Sequence, residues 1–278
     1  MGYTYSLSAL FEKSFHFGLD LAASYTFGHS KSVYDGTSSV AYSNWKYNYA
    51  VDSNNPGLAY SMFDIPHRVM VSVGYRTPRY AKGFMATTVS LVYNGYVGQR
   101  YSLTMNESYY DAEKKKTVYI DYNGDGWGGN SLLYIPTEDE LQKMDFKTEE
   151  DRRKFDEWIE GDSYAKKHRG AYAMRNSNSA PWENRVDLHV AQDIFVLKDR
   201  GSKFQVTFDV TNFANMLNKK WGTTYTAAYN VMPLQVIGSK KGEDGNYTNT
   251  YAYNSRNTIT KNDVLSRWHA QIGFKYIF

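Results

Sequence analysis

The strongest feature of the chain is an alternation of apolar and polar residues with a period of two. This is the pattern of a β-strand whose two faces meet different surroundings. In the clearest segment, Phe17, Leu19 and Leu21 lie on one face, whereas Asp20 and Ser24 lie on the other. Seven segments follow the pattern, and they span residues 3–13, 17–28, 68–75, 83–93, 185–196, 203–213 and 267–278. The pattern therefore predicts an all-β fold.

The connections between these segments alternate between short and long. Short turns are predicted at residues 14–16, 77–82 and 197–202, and long links fill residues 29–67, 94–184 and 214–266. Outer-membrane β-barrels have this arrangement, with turns on the periplasmic side and loops outside. Most of the segments also run 9–12 residues, which is the length that a strand tilted by roughly 45° needs to cross a bilayer. We therefore predict an antiparallel transmembrane β-barrel segment with long extracellular loops.

The alternating pattern alone is also compatible with other folds. A soluble β-sandwich also alternates, and a soluble carbohydrate- or calcium-binding β domain would be extracted without detergent. A small self-contained barrel of about eight strands, acting as an adhesin or structural protein, needs one more strand, from residues 231–240 or 247–253. Those two stretches flank a turn-like segment at 242–245 and resemble a hairpin. We place them in the last outer loop as extensions of the barrel strands.

Composition agrees with a membrane barrel and excludes several other classes. Aromatic residues make up 17% of the chain, with 26 tyrosines, and such residues form the girdles of membrane barrels as well as sugar-binding surfaces. The chain has no apolar run near the roughly 20 residues of a spanning helix, which argues against transmembrane helices. The net charge of +3, with both signs intermixed, gives no indication of nucleic acid as a partner. Disulfides and thiolate metal sites are excluded because there is no cysteine.

The last predicted strand resembles the signal by which the barrel-assembly machinery recognises its clients. Gln271, Gly273, Tyr276 and Phe278 provide a polar residue, a glycine and two aromatic residues in one register. An edge strand with ordered aromatic side chains can add to the edge of another sheet by β-augmentation. We therefore expect the assembly machinery to be a partner, with these four residues as its signal.

Several motifs carry a family resemblance, in order along the chain. They are Phe63-Asp64-Ile65-Pro66-His67-Arg68-Val69, Tyr122-Asn123-Gly124-Asp125-Gly126, Leu133-Tyr134-Ile135-Pro136, His168-Arg169-Gly170-Ala171-Tyr172, Arg175-Asn176, Ala180-Pro181-Trp182-Glu183-Asn184-Arg185-Val186-Asp187, Asp209-Val210-Thr211-Asn212-Phe213-Ala214-Asn215-Met216-Leu217-Asn218 and Trp221-Gly222. With them, the chain from about residue 55 onward resembles the C-terminal barrel region of Bacteroidetes TonB-dependent outer-membrane receptors of the Oar-like kind. Those receptors carry a carboxypeptidase-regulatory-like domain and are related to SusC/RagA-type importers.

The resemblance implies that residues 1–278 are the last seven strands of a barrel of about 22 strands in the Gram-negative outer membrane. Such a barrel is plugged by an N-terminal domain and imports a nutrient, of the glycan, peptide or siderophore class, with energy delivered by TonB. Neither a plug nor a signal peptide precedes residue 1 in this sequence, so we expect a mature piece or a fragment. The implied partners are outer-membrane lipid, TonB through the plug region, and a surface lipoprotein. The substrate-binding residues stay unknown at this point.

One motif has the spacing of a metal site. Asp121, Asn123 and Asp125 place an oxygen ligand at every second position before a glycine, as at the opening of a calcium loop. The closing glutamate of such a loop is missing, because Leu132 stands at its position. The alternative is a turn rich in Gly, Asn and Asp. We keep Ca²⁺ in the 121–130 loop as a candidate cofactor and predict no other.

The second long link also contains a predicted helix. Thr148 can cap it, acidic residues follow near its positive end, and Phe155, Trp158 and Ile159 give it a single apolar face. The acidic residues 138–140 are interpreted as surface acids rather than as a glycosidase pair, because nothing in the sequence would raise a pKa there. Nucleophile, phosphate-loop and dinucleotide motifs are all missing, and the six histidines have no metal spacing. We therefore expect that the protein is not an enzyme.

Overall fold

One large antiparallel β-sheet, called the wall below, dominates the structure. It is a computed structural model of the 278-residue chain, and it describes residues 1–196, 202–226, 230–243, 245–256 and 259–278. In that part of the chain, no helix combines the length and the apolar character needed to cross a membrane.

Seven long strands form the wall and lie side by side in chain order, each antiparallel to its neighbours. They are β1 (Tyr3–Ser14), β2 (Leu19–Ser32), β3 (His67–Arg76), β4 (Met85–Tyr96), β5 (Glu183–Phe195), β6 (Lys203–Thr211) and β7 (His269–Ile277). A two-residue strand, Ala59–Tyr60, pairs with the end of β2. The seven predicted strands and the antiparallel all-β fold class are confirmed. Among the described residues the wall does not close, because β1 and β7 each pair along one edge only.

The register of the wall places apolar and polar residues in separate rows that cross all the inner strands. One row is apolar and consists of Leu19, Tyr75, Val89, Val190, Phe208 and Ile272. The next row along the strands points to the opposite face and consists of Asp20, Gly74, Ser90, His189, Asp209 and Gln271. Because successive side chains of a strand point to opposite faces, the period-two pattern becomes one apolar and one polar surface.

Short turns join the strand pairs at one end of the wall. In the first turn, the backbone N–H of Gly18 donates to the carbonyl of Phe15 over 3.0 Å. In the second, the N–H of Tyr80 donates to the carbonyl of Met85 over 2.8 Å. The predicted turn at 197–202 lies, except for Ser202, outside the described residues. Two of the predicted turns are thus present, and the long links leave from the opposite end.

Several strands run further toward the long links than the alternation indicated. β2 continues to Ser32 rather than ending at residue 28, and β4 continues to Tyr96 rather than ending at residue 93. The residues added to β2 are polar on both faces, so they carry no period-two signal. They are held by pairing with β1 on one side and with Ala59–Tyr60 on the other.

The three long links contain the helices and the shorter strands, and they span residues 33–66, 97–182 and 212–268. The helices are α1 (Ala41–Lys46), α2 (Glu138–Lys143), α3 (Glu149–Gly161) and α4 (Phe213–Leu217), with 3-10 turns at Gly128–Asn130 and Ala165–Lys167. The strands of the second link are Arg100–Leu103, Ser108–Asp111, Lys116–Tyr119, Tyr134–Ile135, Asp145–Phe146, Ala171–Tyr172 and Asn178–Ser179. Those of the third link are Tyr225–Thr226, Asn230–Val231, Leu234–Lys241, Tyr247–Tyr253 and Thr260–Lys261.

The hydrophobic core lies in the second and third long links rather than against the wall. Leu103, Leu133, Ile135 and Val236 are fully buried in it, together with Phe155 of α3. Burying a side chain of this size contributes roughly 1.5–3 kcal/mol relative to leaving it in water. The two links therefore fold as a packed unit with its own core.

Two helices of the second long link begin directly after a threonine that caps their N-terminus. The Thr148 hydroxyl accepts the N–H of Asp151 at the start of α3, and Phe155 and Ile159 are buried on one face, as predicted. At α2, Thr137 and Glu140 form a reciprocal capping box. The acids at 138–140 thus lie in the first turn of α2, which agrees with their interpretation as surface acids.

The hairpin predicted in the third long link is present, but it does not extend the wall. Leu234–Lys241 pairs with Tyr247–Tyr253, and the latter pairs in parallel with Asp145–Phe146 of the second link. These three strands form a separate sheet. The prediction that they extend the barrel strands is therefore wrong: their apolar residues, such as Val236, pack into the core of the links instead.

Candidate functional site

The apolar face of the wall is exposed along its whole width. Val73, Val89 and Leu91 each expose 39% of their surface, Ile272 exposes 62% and Phe274 exposes 82%. A water-soluble domain rarely exposes a continuous apolar surface of this extent. Membrane barrels need such a surface on every strand, because it contacts the hydrocarbon of the bilayer.

Aromatic residues lie near both ends of this apolar face. Phe17, Phe204 and Tyr276 are about half exposed at the end with the short turns. At the other end, the hydroxyl of Tyr93 and the Nε1–H of Trp182 both donate to Oδ1 of Asn184, over 2.8 and 3.1 Å. Amphipathic rings prefer the boundary between hydrocarbon and water, so these two groups mark where the lipid-facing band ends.

The polar face of the wall carries charged side chains that contact one another across strands. His189 contacts Asp209 on the neighbouring strand. Asp193 is 1% exposed, and its carboxylate accepts hydrogen bonds from Arg76 Nη2 and Lys203 Nζ, both over 2.7 Å, and from Gln205 Nε2. A buried carboxylate is tolerated only when it is paired and hydrogen-bonded. This face therefore has the chemistry of the water-filled interior of a barrel.

A buried ion pair fastens the second long link to the wall. The carboxylate of Asp64 accepts two hydrogen bonds from Arg100, over 2.7 Å from Nη2 and 3.0 Å from Nε, and one over 2.6 Å from the N–H of Ser30 in β2. The Asp64 side chain is 1% exposed and that of Arg100 is 9% exposed. The guanidinium of Arg100 also lies over the ring of Tyr60, 4.1 Å from its centroid. Three chain segments are thereby joined at the rim of the wall.

A second buried arginine joins the first and second long links. Arg175 donates from Nη1 to Oδ1 of Asn48 over 2.6 Å and from Nη2 to the carbonyl of Ser32 at the end of β2. Asp35 is its ion-pair partner at 3.4 Å. Burial lowers the pKa of Arg175, and Asp35 opposes that shift. The neighbouring Asn176 adds a hydrogen bond from Nδ2 to the carbonyl of Tyr60.

An asparagine in the left-handed region holds the two ends of the third long link together, and a threonine fastens the link to the wall. Asn212 has a φ of 56°, and its Nδ2 donates to the carbonyls of Gly222 and Ser266, both over 2.8 Å. A Cβ at Gly222 would lie 1.9 Å from Oδ1 of Asn212, so only glycine fits there. The hydroxyl of Thr224 donates to Glu183 of β5 over 2.9 Å. Motif residues that carried the family resemblance thus hold the links on the wall.

The sequence indicated the motifs at the rim but not what they do. Four of the residues at the rim belong to the motifs that carry the family resemblance, namely Asp64, Arg175, Asn176 and Asn212, whereas Arg100 belongs to none of them. No local pattern could have identified Arg100, because its partner lies 36 residues away in the chain.

The three candidate calcium ligands lie together, but their oxygens already accept protein hydrogen bonds. Asp121 accepts the N–H groups of Gly124 and Gly126, over 2.9 and 2.8 Å. Asp125 accepts hydrogen bonds from the Ser53 hydroxyl and from Asn130 Nδ2. The Asn123 Nδ2 donates to Asp125 over 3.2 Å. The loop is thereby closed on itself and joined to the first long link.

Calcium binding by Asp121, Asn123 and Asp125 stays a prediction. Within the described part of the chain, no group of three or more His, Cys, Asp or Glu side chains could hold a metal ion, so a cation would also need amide and backbone oxygens. Terbium added to the purified protein should give luminescence sensitised by Trp127 and competed by calcium. If terbium showed no sensitised luminescence, or if the luminescence were the same in Asp125→Asn as in the wild type, the prediction would be contradicted.

Acidification is expected to loosen the contact between the first and second long links. Burial raises the pKa of Asp125, but hydrogen bonds from Asn130, Ser53 and the N–H of Trp127 bring it below its ordinary value of 3.8. A carboxyl with a depressed folded pKa stabilises the fold above its ordinary pKa, and this contribution is lost as the pH falls through the folded pKa.

The stabilisation contributed by the Asp125 carboxylate should therefore be lost below pH 3.8, and Asp125→Asn should show no such loss. Tryptophan fluorescence of both proteins, titrated from about pH 6 to about pH 2, checks this. Identical titration curves for the two proteins would contradict the role of Asp125.

Three of the predicted assembly-signal residues lie on β7, the edge strand of the wall, and Phe278 follows directly after it. Gln271 lies opposite Asp209, and Gly273 lies opposite Thr207, whose Oγ1 would be 2.6 Å from a Cβ at position 273. The ring of Tyr276 contacts that of Phe204, with centroids 4.9 Å apart, whereas Phe278 is 97% exposed. Gln271, Gly273 and Tyr276 therefore share one strand and Phe278 ends the chain next to it, and the recognition of the four residues by the assembly machinery stays a prediction.

Among the described residues of the long links, three cavities are large enough to hold a ligand. One, of about 410 Å³, lies between the first and second links beside Asp35, Asn48 and Arg175. Another, of about 440 Å³, has a mainly polar lining and lies beside Arg100 and Asp162. The third, of about 370 Å³, is lined mainly by tyrosine and aliphatic side chains of the second and third links. All three lie in the size range of ligand sites, roughly 300–1,000 Å³.

Comparison with known proteins identifies the family of the chain. The model of the family described as outer membrane beta barrel domain matches residues 3–267. The comparisons with curated proteins and with solved structures gave no match. The matched region includes six whole wall strands, the long links and the motifs at the rim. The wall with one apolar and one polar face is thus part of an outer-membrane protein, and the chain belongs to the outer membrane beta barrel domain family.

Proposed function

We propose that the chain forms the C-terminal part of a TonB-dependent outer-membrane transporter that imports a nutrient of the glycan, peptide or siderophore class. The observation that carries the proposal is the open wall, whose edge strands β1 and β7 each have one unpaired side among the described residues. An unpaired strand edge in lipid leaves backbone N–H and C=O groups without partners, at a cost of several kcal/mol for each group. Further strands of a larger barrel would pair with both edges.

The interior face and the long links support a transport role. The polar face carries paired charges such as Arg76–Asp193, as expected for a wall that faces water or a plug domain. The long links form a packed layer that is fastened at the rim by Asp64, Arg100 and Arg175. A layer of this kind, with cavities of several hundred Å³, is where a substrate would first be bound.

The proposal names partners rather than catalytic residues. Outer-membrane lipid would contact the apolar face, and the barrel-assembly machinery would recognise the signal on β7. TonB would act through a plug region outside this sequence, and a surface lipoprotein would cover the long links. No nucleic acid and no catalytic step enter the proposal.

A self-contained small barrel is the less favoured alternative. It requires an even number of strands, about eight, and the described residues supply seven long wall strands. The hairpin that could have provided the additional strand pairs within the links instead.

The experiment is an uptake measurement with panels of oligosaccharides, peptides and iron chelates. We expect the uptake of one class to be lost when the gene is deleted, and lost equally when TonB is inactivated. Restoring the gene should restore uptake. Unchanged uptake of every class in the deletion strain would refute the import function.

A further inference from the structure

The tyrosine-lined cavity differs from the other two cavities in having an apolar floor. Met105, Leu132 and Leu234 form this floor and are 8%, 7% and 2% exposed. They belong to, or lie next to, the core that the second and third long links share. The cavity is therefore a place where this core remains open to a ligand of about 370 Å³ or less.

Four tyrosines from four chain segments line the cavity, namely Tyr122, Tyr134, Tyr172 and Tyr251. The rings of Tyr134 and Tyr172 meet edge to face, with centroids 5.1 Å apart. The hydroxyl of Tyr122 donates to Asn106 Oδ1 over 3.3 Å, and that of Tyr134 donates to Glu140 over 3.0 Å. With these hydroxyls bound to the protein, the rings are held in place before a ligand arrives, which reduces the entropy lost on binding.

Among the described residues that line the cavity, Glu140 is the only one with a charged side chain. Hydrogen bonds from the N–H of Thr137 and from the hydroxyl of Tyr134 lower the pKa of Glu140, so the group is an anion at neutral pH. The charge of Lys143, one turn further along α2, lowers this pKa as well. The cavity therefore combines an apolar floor, aromatic walls and one negative charge.

This combination selects one ligand chemistry. The face of an aromatic ring carries partial negative charge and attracts cations, and cages of several rings bind organic ammonium groups. An anion would be repelled by Glu140, and a sugar would leave its hydroxyls unpaired against Met105, Leu132 and Leu234. We infer that the cavity binds an organic ammonium ion that also carries an apolar or aromatic group.

The role of this site as a substrate site rests on the proposed transport function, whereas binding itself does not. The other cavities fit the inferred ligand less well, because an arginine accompanies the aspartate in each of them, Arg175 with Asp35 in one and Arg100 with Asp162 in the other. The guanidinium offsets the charge of the carboxylate, so the lining of neither cavity offers an ammonium group a net negative charge. The cation is therefore assigned to the tyrosine-lined cavity alone.

Three probes of similar shape and different charge test the inference by calorimetry on the full detergent-solubilised protein. They are phenethylamine, phenethyl alcohol and phenylacetate, which at neutral pH are a cation, a neutral molecule and an anion. We expect the amine to bind about tenfold more tightly than the alcohol, and phenylacetate to bind most weakly. Equal affinities, or the lack of any binding, would overturn the inference.

Matched variants locate the site. Glu140→Gln keeps the capping box of α2, because glutamine can replace glutamate there, but it removes the charge. It should reduce the affinity for the amine about fivefold and leave that for the alcohol unchanged. Glu138→Gln, in the same turn but not lining the cavity, should change neither. Equal effects of the two variants would overturn the assignment.

The tyrosines are tested with Tyr172→Leu, which keeps apolar area and removes the ring. Tyr172 is 51% exposed, so the substitution should leave the fold intact. The preference for amine over alcohol should fall about threefold, and an unchanged preference would contradict a role for the ring. If the amine binds but gene deletion causes no loss of uptake, the ammonium site stands and the transport function is refuted. If gene deletion abolishes uptake but the amine does not bind, the transport function stands and the ammonium site is refuted.

Discussion

Replacing Leu91 by arginine is expected to prevent the wall from assembling in a membrane. Leu91 lies in the middle of β4 on the apolar face, 39% exposed, between Val73 and Leu188 on the neighbouring strands. An arginine on the lipid face near the bilayer midplane costs about 2–4 kcal/mol. That is a large fraction of the stability of an ordinary domain. The measurement is the fraction of protein that resists urea and shows a heat-modifiable band after insertion into lipid.

The neighbouring position provides the matched control. Ser90 precedes Leu91 on the same strand but points to the polar face, opposite Gly74 and His189. Ser90→Arg should therefore assemble as the wild type does, because its charge meets water rather than lipid. If both variants assembled equally well, or if Ser90→Arg were the more damaging, the assignment of the two faces would be wrong.

Replacing Arg100 by alanine is expected to release the second long link from the rim. The substitution leaves the carboxylate of Asp64 buried without its arginine, and losing one partner of a buried ion pair costs about 3–5 kcal/mol. The stacking of the guanidinium on the ring of Tyr60 is lost as well. The wall should remain folded, because its strands pair independently of Arg100. Limited proteolysis in detergent should therefore cleave within residues 97–182 faster than in the wild type.

An exposed ion pair in the same link serves as the control. Lys114 contacts Asp111 over 2.9 Å, and its side chain is 60% exposed. Surface pairs of this kind contribute little to stability, so Lys114→Ala should be cleaved at the wild-type rate. A second variant, Asp64→Asn combined with Arg100→Met, removes both charges and should regain part of the protection. Unchanged cleavage of Arg100→Ala would show that the buried pair does not hold the link.

The strands of the wall could be predicted because the pattern that indicates each strand lies within that strand's own sequence. A strand with one face in lipid and one in water must alternate, and residues 17–28 and 267–278 do so with Ala22 and Ile277 as the exceptions. The short turns then fixed which strands are neighbours. The ends of the strands near the long links could not be placed. At the end of β2, His29 and Lys31 on one face and Ser30 and Ser32 on the other are all polar, and these residues are held by pairing instead.

The contacts at the rim and the cavity could not be predicted because their members are far apart in the chain. Arg175 and Ser32 are separated by 143 residues and meet through a hydrogen bond. Tyr134 and Tyr251 come from different long links and line the same cavity. The period-two pattern shows which residues of a segment lie on its apolar face and which on its polar face. It gives no information on which distant side chains come into contact. The hairpin of the third link was misplaced for the same reason.

The measurement that tests the central claim most directly is the size of the native protein. An antibody against residues 148–161, which include the exposed acidic start of α3, would be used on outer-membrane fractions of the cells that produce it. If the open wall is completed by further strands of the same protein, the blot will show a band several-fold heavier than 32.0 kDa. A band near 32.0 kDa that requires detergent for extraction would contradict the account. It would show that the barrel is built from this chain alone.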